Sequence, residues 1–252
     1  MQYRPSPVKK NIPEWYRKAD RFAKNQDGTY NLKSIIKNGE ESFHKQETWK
    51  SCPALLDIFI SGYYFFTPCD IEVKKNKITI EKYPPVVFKF DEKWNTSMKF
   101  EEWSEDSFGF PICGGRGEQD GLPHPEGYYP YGYYWIPNWF TQVPENYTIL
   151  FTHPINIENL PFKTMSGFID STNILISTGR FPFYIKENWE GIIPAGTPFA
   201  QIIPMKNEVW NSEIINHSYE DVKELYLKKK NEYSFDGGNL YKKIDWLKKQ
   251  YD

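Results

Sequence analysis

Along the chain, hydrophobic positions recur first at helical spacing, then in alternation with polar ones, then at helical spacing again. IPEWYRKADRFAK (12–24) sets Pro13 at a helix start, with Trp15, Tyr16, Ala19 and Phe22 along one face. CPALLDIFISGYYFF (52–66) predicts a second helix. It opens on Pro53, lines up Leu55, Leu56, Phe59 and Ile60, sets Asp57 on the exposed face or in a buried role, and stops at Gly62. DIEVKKNKITIEKY (70–83) then reads as a hairpin: Ile71 and Val73 alternate with charges, a turn falls near Lys75 and Asn76, and Ile78 and Ile80 alternate again. PVVFKF (85–90) is a further short strand. WIPNWFTQVP (135–144), YTILFTHPI (147–155), KTMSGFID (163–170), FPFYIK (181–186) and TPFAQIIPM (197–205) follow as short apolar runs between turn residues. Such spacing is characteristic of a β-sandwich or barrel.

The stretch from Trp103 to Tyr134 is rich in Gly, Pro and Tyr and predicts a long ordered loop. Its aromatics, Tyr128, Tyr129, Tyr131, Tyr133 and Tyr134, with Trp135 behind them, are expected in a surface layer or a subunit contact. A base-stacking platform would need Lys and Arg among them. Near the C-terminus, Ser218 with Asp221 resembles a capping box, and Tyr219, Val222, Leu225 and Tyr226 form a helical stripe. After Gly237 and Gly238, Leu240, Ile244 and Leu247 mark another amphipathic helix. The expected fold is therefore mainly β, a barrel or distorted jelly roll in one domain, 1–252. Residues 1–66 form an N-terminal arm and helices, 67–210 the β core, and 211–252 C-terminal helices.

Composition adjusts this picture at a few points. Only 39% of the 252 residues are hydrophobic, but 18% are aromatic, and large rings compensate for a sparse aliphatic core. A net charge of −2 gives no field to attract nucleic acid or an anionic membrane. No apolar run is long enough to span a bilayer, and MQYRPSPVKKNIPEWYRK lacks the apolar centre of a signal peptide. Three cysteines, Cys52, Cys69 and Cys113, then point to reduced thiols in a cytosol. Cys52 and Cys69 are expected to be small buried residues.

Phosphate-loop, dinucleotide, nucleophile-elbow and zincin motifs are absent. His124-Pro125-Glu126 has the H-x-E spacing of a two-histidine, one-carboxylate iron site, with His153 or His217 as third ligand. The competing reading is an exposed loop histidine between two prolines, because Pro125 fits a barrel strand poorly. GTPFAQIIP (196–204) poses a different question, since Gln201 interrupts an apolar strand. It faces solvent, a satisfied network or a site.

VPENYTILFTHPIN, SGFIDS and IPAGTPFAQIIP, taken together, resemble the trimeric dUTPase and dCTP deaminase superfamily of small β-barrels. The resemblance implies that Asp170, in GFIDS, matches that family's water-positioning aspartate. It also implies that Gly196, Ala200 and Gln201 match its Gly-x-x-x-Ala-Gln strand, with the glutamine near phosphate or a neighbouring chain. THPIN (152–156), with His153, stands where the family has a phosphate-binding serine segment, so the parts for holding a metal-bound triphosphate are incomplete.

IPEWYRK, WKSCPALLDIFISGYYFFTPCDIEV, VPENYTILFTHPIN, SGFIDST, FPFYIK and GTPFAQIIPMKNEVW, in that order, look like a family of uncharacterised proteins in tailed phages of marine bacteria. That resemblance spans about residues 12 to 210. It implies viral origin and a place in the host cytoplasm or the virion, and it brings no activity. The expected function is a non-catalytic, ligand-binding or structural phage protein on a dUTPase-like fold. It would take a nucleotide or other small molecule through Gly196, Gln201 and His153, and assemble as a homo-oligomer, a trimer by the resemblance. The alternatives are a divergent nucleotide hydrolase using Asp170 and an iron oxygenase of the 2-oxoglutarate type using His124 and Glu126.

Overall fold

The computed structural model describes residues 4–37, 39–76, 85–89, 113–118, 123–137, 139, 141–170, 180–235 and 246–247. The chain divides into two compact units. One comprises Met1–Asn11 and Gly62–Glu208, the other Ile12–Ser61 and Val209–Asp252.

The first unit is built of antiparallel strands. β1 (Ser6–Pro7), β4 (Tyr63–Phe66), β14 (Pro198–Lys206), β9 (Tyr147–Thr152) and β11 (Gly167–Ile169) form a five-stranded sheet in the order β1-β4-β14-β9-β11. β10 (Phe162–Thr164), β12 (Phe181–Ile185), β8 (Tyr131–Trp135) and β7 (Cys113–Glu118) form a second, in that order. β13 (Gly191–Ile193), β5 (Ile71–Lys75) and β6 (Val86–Lys89) form a third. Among the described residues no sheet closes on itself, so the barrel expected from the sequence is replaced by open sheets sharing one core.

That core follows from period-two alternation. Phe65, Ile71, Val73, Val86, Phe151, Phe162, Phe183, Ile193 and Phe199 come from all three sheets and enter one cluster around Trp135. The Trp135 ring is fully buried, stacks on Phe183 at 4.0 Å and meets Phe199 at 5.1 Å. Its Nε1 donates to Thr164 Oγ1 (3.2 Å), which donates in turn to the Phe199 carbonyl (2.6 Å). One hydrogen-bonded relay thus joins the four-stranded and five-stranded sheets.

The pairing of β14 with β4 departs from simple alternation at two points. A bulge between Pro198 and Ala200 lets the consecutive Phe199 and Ala200 both join the core. Gly62, just before β4, has φ +71°, and a Cβ there would lie 1.9 Å from the Ile202 carbonyl oxygen. Only glycine lets β4 enter beside β14.

The stretch read as a long loop holds two strands, β7 and β8. Tyr133 and Trp135 lie in the core and not in a surface layer. Glycines hide this strand pair. Gly114 faces Tyr134 across it, where a Cβ would lie 2.8 Å from the Tyr134 hydroxyl, so the tyrosine ring occupies the space a side chain would take. β5 forms as expected and pairs with β6 and β13; its second hairpin arm, with Ile78 and Ile80, lies outside the described residues.

In the second unit, α1 (Glu14–Lys18) is shorter than the predicted helix. Ala19 leaves helical geometry, and the Lys50 ammonium donates to the Arg17 and Ala19 carbonyls at 2.6 and 2.7 Å. The exit is therefore held by a cation at the negative end of the helix. α2 (Pro53–Ile58) also ends early, because Tyr63 to Phe66 are needed as β4. Phe59 is fully buried against Tyr16, with ring centroids 4.4 Å apart. Asp57 is half-buried, which favours the buried role over the exposed face, and its carboxylate accepts from Trp246 Nε1 at 3.0 and 3.1 Å. Cys52, expected to be buried, is exposed at the start of α2. β2 (Leu32–Lys37) and β3 (Glu40–Lys45) form an isolated hairpin.

α3 (Tyr219–Phe235) opens on the predicted cap: Ser218 Oγ accepts from the Asp221 N–H at 3.1 Å, and the Asp221 carboxylate accepts from the Ser218 N–H at 3.1 Å. Its stripe of Tyr219, Val222, Leu225 and Tyr226 is exposed. Of the helix expected after Gly238, only residues 246–247 are described. No helix among the described residues is long and apolar enough to cross a membrane.

Candidate functional site

Gln201 is fully buried, yet its side chain is not in the aromatic core. Ala200 and Ile202, on either side of it, face that core, so alternation turns Gln201 to the other face of the five-stranded sheet. There it pairs with Tyr64 on β4 and Thr152 on β9, and Tyr64 pairs in turn with Ser6. A polar row, Ser6, Tyr64, Gln201 and Thr152, therefore crosses the sheet. Thr152 Oγ1 extends it to Ser166 Oγ at 2.7 Å. Gln201 Oε1 accepts the Ile155 N–H at 3.1 Å and so pins the THPIN loop where it leaves β9. The satisfied-network reading of this glutamine has a defined partner.

His153 is brought to the same corner. Its Nδ1 accepts the Thr164 N–H at 3.3 Å, and its ring sits edge-on to Phe162 at 5.9 Å. Burial, then the Lys163 charge, lowers its pKa from the ordinary imidazole value to about 4; a backbone hydrogen bond to Ile157 opposes them. The ring is neutral at pH 7. Burial likewise pushes the Tyr64 phenol up to about 12, and its hydroxyl is buried with no hydrogen-bond partner among the described residues.

The remaining sequence candidates lie elsewhere. Gly196 takes a left-handed φ of +81° in the turn before β14, and its N–H donates to the Thr67 carbonyl at 2.8 Å. Asp70 Oδ1 accepts the neighbouring Ala195 N–H at 2.7 Å, so this turn is clasped to the β4–β5 connection. Asp170 is exposed, one residue past the edge strand β11. Ile169 pairs with Ile149, whereas Gln201 pairs with Thr152. Asp170 is thus displaced from Gln201 by about 13 Å along the strands and roughly 10 Å across them. His124 and Glu126 are both exposed and lead into a turn closed by the Tyr128 N–H on the Pro125 carbonyl at 3.2 Å. Among the described residues no three His, Cys, Asp or Glu side chains gather as a metal site. His217 is exposed in the second unit. The Cys113 thiol, buried in the core, is pushed well up by burial and by Cys69, which leaves it a poor nucleophile.

The second unit contains a cleft that sequence reasoning did not single out. Its volume is about 530 Å³. Trp15, Tyr16, Phe22, Trp49 and Leu55 supply apolar walls, and Asp20, Lys24, Gln46 and Glu47 supply polar groups. Backbone hydrogen bonds frame it, from Ala23 N–H to the Gln46 carbonyl and from Thr48 N–H to the Arg21 carbonyl, both 2.9 Å. Trp49 is 84% exposed and Trp15 55% exposed. The sequence signal was an isolated tryptophan in the polar run HKQETWKS.

Comparison with protein-family models, with curated proteins and with solved structures finds no match to this chain.

Proposed function

We propose that this chain is a phage-encoded, non-catalytic protein in which the three-sheet unit, a distorted jelly roll, is the frame and the second unit carries recognition. The viral origin rests on the sequence resemblance alone. The observation that supports the division of roles is the exposure of large apolar side chains in the second unit. Trp49, Val209, Trp210 and Ile214 all stand in solvent. Large apolar side chains left in solvent are candidates for contact with a partner or ligand. The polar row at Gln201 acts as a brace for the frame, since its hydrogen bonds hold β9, β14 and the THPIN loop together.

Neither catalytic reading gains support from geometry. Asp170 is remote from Gln201, and His124 and Glu126 stand in an exposed turn. The decisive assay measures turnover of deoxynucleoside triphosphates with magnesium, and oxygen uptake with ferrous iron and 2-oxoglutarate. No turnover above the blank is expected. Turnover abolished by Asp170→Asn or by His124→Ala would overturn the proposal. Self-association through the exposed side chains is the accompanying expectation, a trimer by the dUTPase likeness. Sedimentation equilibrium showing a monomer at every concentration would remove it.

A further inference from the structure

The cleft between Trp15 and Trp49 has a chemistry that narrows its ligand. Its charges are already matched within the unit. Asp20 Oδ2 pairs with Lys24 at 2.9 Å, and Glu47 Oε1 pairs with Arg21 at 3.2 Å. The Lys50 ammonium is bound to the Arg17 and Ala19 carbonyls at the end of α1. Among the described lining residues each charge already has a partner, so a charged ligand would compete with these pairs.

The walls and rim argue further. A hydrocarbon ligand gains by leaving water on all sides, whereas this cleft opens to solvent with Trp49 almost wholly exposed. Indole faces carry negative charge density and attract weakly positive C–H groups. Around them stand hydrogen-bonding groups with capacity left. Each of the two ion pairs uses one carboxylate oxygen, and Gln46 also lines the cleft. A neutral ring with an apolar C–H face and a hydroxylated edge meets every one of these features, and a pyranose is such a ring. The volume of about 530 Å³ falls within the range of small-ligand sites.

We propose that the Trp15–Trp49 cleft is a binding site for a neutral saccharide, one pyranose stacking on an indole while its hydroxyls bond Asp20, Gln46 and Glu47. This rests on the reading of the second unit as the recognition unit and names its ligand class. No bond is made or broken, so the site binds and does not cleave.

The test titrates the full-length protein with maltohexaose, cellohexaose and N-acetylchitohexaose, followed by tryptophan fluorescence and calorimetry at low and high salt. Saturable binding of at least one of them is expected, unchanged by salt and weakened at least tenfold in Trp49→Ala. Trp15 also packs on Phe59, so Trp15→Ala risks the fold, but Trp49 is exposed and its removal is not expected to unfold the unit. Trp210→Ala, an exposed tryptophan outside the cleft lining, should leave binding intact. No binding of any of the three at 10 mM (about a hundredfold above a 0.1 mM Kd), or binding indifferent to Trp49→Ala, overturns the proposal. So does a salt-sensitive response to a charged competitor such as AMP. If Trp49→Ala instead weakens self-association while sugars do nothing, the saccharide is wrong but the recognition role of the unit stands. Turnover in the assays described above would remove that role itself.

Discussion

In the β unit Trp135 is sealed between sheets, ringed by Phe162, Phe183 and Phe199; in the second unit Trp49 and Trp210 stand 84% and 86% exposed. The contrast extends to neighbouring positions. Strand alternation in the first unit delivers Phe65, Phe151, Phe162, Phe183, Phe199 and Trp135 to one shared core. The second unit buries Phe59 and Tyr16, yet leaves Leu32, Ile36 and Phe43 uncovered on one face of a hairpin, and Tyr219, Val222 and Tyr226 along a helix. A two-stranded hairpin has little stability of its own. Apolar residues alone therefore do not define a core. What matters is whether a second layer lies opposite, and in this molecule the β unit has one.

The sharpest way to break the contrast is Trp135→Ala, which should destabilise the β unit by about 3–5 kcal/mol through the cavity it leaves and the loss of the Thr164 bond. Chemical denaturation followed by circular dichroism measures it, and a loss under 1 kcal/mol would mean the core is not where we place it. Next comes Gly62→Ala, expected to cost roughly 3 kcal/mol, since the new Cβ meets the Ile202 carbonyl in a left-handed conformation. Gln201→Ala leaves the Ile155 N–H without its acceptor and should cost about 1–3 kcal/mol. Protection of the Ile155 amide from hydrogen exchange reports it directly.

His153 supplies a pH test of about 1–2 kcal/mol, after allowance for its partial exposure. Its pKa is lowered in the folded protein to about 4, so between the ordinary imidazole value and 4 the unfolded chain binds the extra proton. Stability from this group is complete above the ordinary value and is lost as pH falls toward 4. His153→Gln should flatten the melting temperature over that window, and an unchanged slope would show that the ring titrates normally. The smallest effect belongs to the second unit. Replacing Tyr219, Val222 and Tyr226 by Ser should shift stability within about 0.5 kcal/mol per site, because none of them is packed. A large loss would show that the helix has a cover after all.

Much of the β unit was legible because its strands write their burial in alternate residues, as in β9, where Ile149 and Phe151 face inward. β7 and β8 were missed for a physical reason. Strand propensity scores glycine poorly in isolation, but Gly114 and Gly115 are complements to the tyrosine rings opposite, and that fit exists only once the strands are paired. Helix length differs from expectation at both N-terminal helices: α1 ends at Lys18, where Lys50 holds the exit, and α2 ends at Ile58, short of the Gly62 stop. At the candidate site, Gln201 stood out because a glutamine in an apolar strand requires a partner. Its row with Tyr64 and Thr152 did not, because register between distant strands is not written locally. The cleft escaped notice for the same reason. Its walls come from 15–24 and 46–55, each unremarkable alone.

The position of β14 also bears on how the protein is made. It is the last of the described strands to be synthesised, yet it sits at the centre of the five-stranded sheet, with Gln201 and Ile202 paired on both sides. Until it has left the ribosome, β4 and β9 have no strand to lie between them. The nascent chain thus presents bare β edges through much of its translation, the condition under which neighbouring chains on one message cross-pair. Completion of this sheet therefore waits on synthesis of residues 198–206, however early β4 and β9 are made.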